Sequence, residues 1–124
     1  MKYVEPGPIE RADAEMQFAT GKSFDICDAL VRITYNEPDW RWAQECCLRF
    51  AEHPDSGIRG VAANCIGDLA RIHKCLDLDR VFPVLRKLLT DENTVGYAED
   101  ALSDIQIFMG KKLPKERKRK KEIQ

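Results

Sequence analysis

No apolar run in this chain approaches the roughly 18 residues that a membrane-spanning helix needs, so no segment reads as a membrane span. The stretch Met1 to Pro8 has no basic patch followed by an apolar run. A secretion signal is therefore not expected, and the expected address is the cytosol. A Gly-rich phosphate loop, an HExxH pair and a nucleophile-with-base set are all missing, which argues against nucleotide hydrolysis, zinc peptidase and acyl-transfer chemistry. No stretch alternates apolar and polar residues cleanly over about six positions, so strands are not expected. The five cysteines (Cys27, Cys46, Cys47, Cys65 and Cys75) are odd in number and carry no CxxC or zinc-like spacing. Most lie inside apolar helical patterns, where a reduced thiol acts as a small hydrophobe. A ligand set of His73, Cys65 and Cys75 matches no zinc pattern. Neither a metal nor a cofactor is expected, and neither is an enzyme.

The net charge of −1 averages two unlike parts. Residues 111–124 hold eight Lys or Arg against two Glu, and residues 1–110 hold twelve basic against nineteen acidic side chains. An acidic body with a basic tail attracts cationic partners and repels nucleic acid at long range. Sequence-specific nucleic-acid binding is not expected. The tail is too charged to bury anything, reads as disordered, and has two open roles: a solvated run, or a sequence-independent nucleic-acid contact.

What is present is helical periodicity. Glu10 to Ala19 is a short amphipathic segment closed by Gly21, and Ser23 is placed to cap a second helix from Phe24 to about Tyr35. Asp39 is a candidate cap for a third, from Trp40 to about Glu52, with Trp40, Ala43, Cys47, Phe50 and Ala51 on one face. The fourth covers about Ser56 to Lys74, with Ile58, Val61, Ala62, Cys65, Ile66, Leu69 and Ile72 as its apolar stripe. Gly60 and Gly67 weaken it by about 1 kcal/mol each, which implies that a neighbouring helix comes close. Asp79 to about Leu89 makes a fifth, with Pro83 tolerated near its first turn, and Thr94 to Met109 a sixth, with Val95, Ala98, Ala101, Leu102, Ile105 and Phe108 inward.

Residues 55–69 line up with 91–105 at an offset of 36, placing Asp55 on Asp91, Ala62 on Ala98, Ile66 on Leu102, Asp68 on Asp104 and Leu69 on Ile105. Each copy follows another apolar-periodic segment, so the unit is a helix pair. A period of this size marks an α-solenoid. The expected fold is all-α: a short solenoid of five to six helices over residues 1–110, as one domain, with the basic tail at 111–124. Whether two copies stack end to end as a homodimer stays open.

Asp55, Ile58, Arg59, Ala62 and Leu69 resemble the second-helix pattern of the HEAT-repeat family, and Asp91, Val95, Ala98, Leu102 and Ile105 follow it more loosely. The resemblance covers roughly residues 39–109, and 10–36 stands as a degenerate first unit. It implies a surface that binds other macromolecules. The size of the chain and the run Asp39-Trp-Arg-Trp-Ala-Gln, then His53-Pro-Asp, also resemble small bacterial HEAT-type immunity proteins of toxin systems. That implies a cognate protein toxin as partner; an acidic docking surface would suit a basic one, such as a nuclease, and no membrane partner is expected. A general scaffold for another cytosolic protein is the alternative. A HEAT-type lyase needs a bulky apolar cleft and more repeats.

The candidate partner-binding residues are acidic. Asp68, Asp100 and Asp104 share a ridge once two such helices lie side by side, extended by Asp25 and Asp28. The ordinary alternative is a solvated helix face. Trp42 points to the next repeat or to solvent, where a Trp serves either packing or an interface. Arg59 is expected to bond a loop carboxylate, Asp55 or Asp91, and His53 to sit at a helix end, stabilised by its dipole.

Overall fold

The computed structural model describes residues 6–115, and every regular element among them is a helix. The helices are α1 (Arg11–Ala19), α2 (Ser23–Asn36), α3 (Trp40–Phe50), α4 (Ser56–His73), α5 (Leu78–Leu88) and α6 (Val95–Met109). No helix among the described residues is long and apolar enough to cross a membrane.

Pro-Asp pairs set two of the helix starts. Asp39 Oδ1 accepts the amides of Arg41 and Trp42 at 3.1 and 3.3 Å, and Asp55 Oδ1 accepts those of Gly57 and Ile58 at 2.7 and 3.3 Å. Each cap satisfies two orphan amides and contributes about 1 kcal/mol. Ser23 does not cap α2. The extended residue is Lys22, which makes no side-chain cap bond, and Ser23 is already helical. The start of α5 is capped from another repeat, where buried Gln44 Oε1 accepts the Asp77 amide at 2.7 Å. Pro83 lies in the second turn of α5, later than expected, and is exposed; it leaves the helix without one backbone donor there.

The helices pack as three consecutive pairs, α1 with α2, α3 with α4 and α5 with α6. The second helices form one row, α2 on α4 and α4 on α6, and α4 sits at the centre, against α2, α3 and α6. Long-range polar contacts repeat the period: Glu15–Arg49 and Glu45–Arg80 join successive first helices and Glu52–Lys87 joins the turn after α3 to α5, at separations of 34, 35 and 35 residues. Arg59 binds Asp91 at 2.6 Å and also donates to the His53 and Pro54 carbonyls at 2.9 and 2.8 Å. That cation ties the turn before α4 to the turn before α6. Asp91 does not repeat the role of Asp55. It folds its own turn by accepting the Asn93 amide, and α6 begins only at Val95.

The core is aliphatic and small, led by Ile26, Leu30, Ile33, Ile58, Ile66, Leu69, Leu85 and Ile105. Trp40 does not join it. As the first residue of α3 it is half-buried outside the core cluster, and Arg41 lies over its ring. Trp42 is the tryptophan packed on the core, with the Arg11 guanidinium 4.5 Å from its ring centre. Cys46, Cys47 and Cys65 are buried free thiols and Cys75 is exposed. Burial pushes the Cys46 thiol up to about 12, so it stays protonated. The lead-in is held to α2, where Arg32 donates to the Gly7 and Pro8 carbonyls and Asn36 to that of Pro6. These contacts cover the outer side of the first pair. Of the basic tail only residues 111–115 are described, without helix, and the disorder expected for 116–124 lies outside the described residues.

Both glycines of α4 stand where α6 comes close. A Cβ on Gly60 would meet the Tyr97 ring at 2.5 Å, and one on Gly67 would meet Asp104 Oδ2 at 2.7 Å and the Ala101 Cα at 3.1 Å. Gly67 faces backbone that cannot step aside. Gly67→Ala is expected to lose about 1–2 kcal/mol in urea unfolding despite the helix propensity of Ala. Gly96→Ala, which meets nothing within 4 Å, is expected to gain about 0.5 kcal/mol. A Gly67→Ala protein as stable as the wild type contradicts this packing.

Candidate functional site

Because α4 and α6 touch at Gly67, the side chains one turn apart on their outer faces meet across the seam. Asn64 and Asp68 of α4 and Asp100, Ser103 and Asp104 of α6 line an open depression of about 360 Å³. The structure thus brings together Asp68, Asp100 and Asp104, the central residues of the expected ridge. Asp25 and Asp28 do not enter the depression. Asp25 accepts from the Thr20 hydroxyl at 2.9 Å, and Asp28 accepts from Gln17 at 3.2 Å and Arg32 at 3.4 Å, so both serve the α1–α2 corner. Trp42, half-buried under Arg11, belongs to the packing of α3.

The three second helices carry this face as rows spaced 36 residues apart. Asp28, Asn64 and Asp100 make the first row, Arg32, Asp68 and Asp104 the second, and Tyr35, Arg71 and Ile107 the third. The register is confirmed by contact, since Arg71 Nη2 reaches the Tyr35 hydroxyl at 3.4 Å. On α2, Asp28 has Arg32; on α4, Asp68 has Arg71 at 3.2 Å. On α6 the corresponding position is Ile107, and Asp100 and Asp104 form no ion pair with any described residue. Burial raises the Asp104 carboxyl above its ordinary range, and Asp68 and Asp100 add to this, while Arg71 offsets it in part. The pair Asp68–Arg71 is exposed enough to contribute little to stability.

Arg71, Ser103 and Ile107 went unremarked in the sequence, although the offset that aligned Asp68 with Asp104 also aligns Tyr35, Arg71 and Ile107. Ile72, expected inward, is 38% exposed beside this face. His53 sits just past the C-terminal end of α3, as expected, with its amide donating to the Phe50 carbonyl at 3.1 Å. Its Nδ1 accepts the Asp55 amide at 3.0 Å and shapes the turn. His73 lies at the end of α4 with its Nε2 buried and unpaired, and no group of described His, Cys, Asp or Glu residues could hold a metal ion.

No family model and no curated protein matches the chain. The HEAT resemblance therefore rests on the residues quoted and on the three helix pairs. A chain in the crystal structure of the CDI complex from Cupriavidus taiwanensis LMG 19424 is 35% identical, with a TM-score of 0.76. The match covers 87% of this chain and 97% of that chain. With that identity over almost the whole length, this protein belongs to the same family as that chain of the CDI complex.

The charge at Asp104 has a measurable sign. A carboxyl whose pKa is raised by folding favours the folded state below its unfolded pKa. That contribution is lost as pH rises through the folded value. Asp104→Asn is therefore expected to raise the melting temperature at neutral pH, with the gain fading as pH falls through the carboxylate range. A variant less stable than the wild type at pH 7 contradicts the placement of an unpaired charge at that position.

Proposed function

We propose that the chain is an immunity protein of a contact-dependent inhibition system, which binds a cognate toxin domain and neutralises it by covering the surface the toxin works with. The observation that carries this reading is the near-full-length likeness, at 35% identity, to a chain of a CDI complex. The fold suits the task physically. Stacked helix pairs present a preformed face, so little ordering entropy is lost on docking.

The docking surface in this reading is the row of second helices, centred on Asp68, Asp100 and Asp104. A carboxylate cluster without enough cations of its own draws a Lys- or Arg-rich surface. The substrate cleft of a toxin that acts on nucleic acid has that character. Electrostatic steering then speeds capture, which matters for an inhibitor that must reach its toxin before the substrate does. The cytosol is where such a toxin would act, and it is the address proposed for this chain.

The reading predicts a toxin domain encoded beside this chain, and the test is calorimetric titration of that domain into the purified protein. One-to-one binding is expected, weakening steeply with added salt. The double charge swap Asp100→Lys with Asp104→Lys is expected to weaken binding by about two orders of magnitude, mostly through loss of charge complementarity. It should also abolish the growth protection of cells that express the toxin. Undiminished binding by the charge-swapped protein rules out this face, and no binding by the wild type rules out the immunity reading.

A further inference from the structure

The row of second helices is also where large apolar side chains are left uncovered. Ile107 is 66% exposed on α6 and Ile72 38% exposed on α4, and Tyr35 on α2, also exposed, is held by Arg71. Singly, exposed apolar residues are ordinary. All three lie near the C-terminal ends of the second helices, about one turn along from the depression, and give it an apolar margin.

What covers that margin follows from the row pattern. The first two helices carry their own cation beside the carboxylates, Arg32 with Asp28 and Arg71 with Asp68. In the third, Ile107 stands at the position of Arg71, and Asp100 and Asp104 form no ion pair among the described residues, with Arg71 only partly offsetting the charge at Asp104. A side chain that suits both features has an aliphatic stem to lie on Ile107 and a positive head to reach the carboxylates. Lysine and arginine have that construction, and arginine can also bind a carboxylate with two parallel donors.

We propose that this face receives a protein segment in which one Arg or Lys is flanked by an apolar residue. The cation takes the vacant place beside Asp100 and Asp104, and the apolar neighbour lies on Ile107 and Ile72. The inference rests on the immunity reading and adds to it the chemistry of the toxin's docking element. It makes Ile107 a specificity position. An arginine there would supply the cation from within and remove the reason for the partner's to enter.

The experiment compares Ile107→Arg and Ile107→Leu as folded proteins of matched melting temperature, with the toxin domain encoded beside this chain as probe. Ile107→Arg is expected to weaken binding by about tenfold or more and Ile107→Leu by less than about twofold. The Asp104 carboxyl, followed by NMR, should titrate at lower pH in Ile107→Arg than in the wild type, because the added guanidinium favours its charged form. Full affinity in Ile107→Arg overturns this inference while leaving the immunity reading standing. Absence of wild-type binding removes both. A chain ending at residue 115 supplies a further arm. Its affinity is expected to stay within about twofold of the full chain. A rise of about tenfold would show that the chain's own basic end occupies the place assigned to the partner.

Discussion

The close approach of α4 to α6 at Gly67 is the contact on which the surface chemistry depends. With no Cβ at that position, α6 settles until Asp104 lies over the glycine and Ala101 lies against it. A wider seam would let water reach Asp104 from all sides and separate it from Asp68. At the present spacing two carboxylates, with a third one turn away, face one depression, where Arg71 pairs with Asp68 alone and only partly offsets Asp104. The same approach stacks the third helix pair on the second, so fold and surface rest on one contact.

Charge is divided between the two layers of the fold in a way that separates structure from recognition. On the first helices and the turn after α3, Glu15, Glu45 and Glu52 each meet a cation of the next repeat. These exposed pairs add little energy individually, but they leave that layer locally neutral. On the second helices the cations run out toward the C-terminal end, where Ile107 replaces an arginine. A partner approaching the molecule therefore meets balanced charge on one side and unbalanced negative charge, with an apolar margin, on the other. Orientation of the encounter follows from that difference.

Much of this was legible in the sequence because the repeat is carried by residues whose physics is local. The Pro-Asp caps, the apolar stripe of α4 and the two glycines all report on a helix or its immediate neighbour. Asp68, Asp100 and Asp104 could be placed together because an offset of 36 and a helix turn were enough to bring them there. The misreadings came from context that periodicity does not carry. Trp40 has the spacing of a core residue but stands at the first position of α3, where it is only half-buried and Arg41 lies over its ring. Asp25 and Asp28 have the right charge and lie on a second helix, yet Thr20, Gln17 and Arg32 already occupy them. Ser23 looked like a cap because the preceding residue that actually turns the chain, Lys22, has no capping chemistry to announce it.

The most direct measurement is a hydrogen-exchange footprint of the protein with and without its toxin domain. If the row of second helices is the docking surface, added protection falls on residues 64–71 of α4 and 100–107 of α6, while the amides of α3 and α5 exchange as before. Protection confined to α3 and α5, with α4 and α6 unchanged, would place the partner on the opposite layer and contradict the assignment.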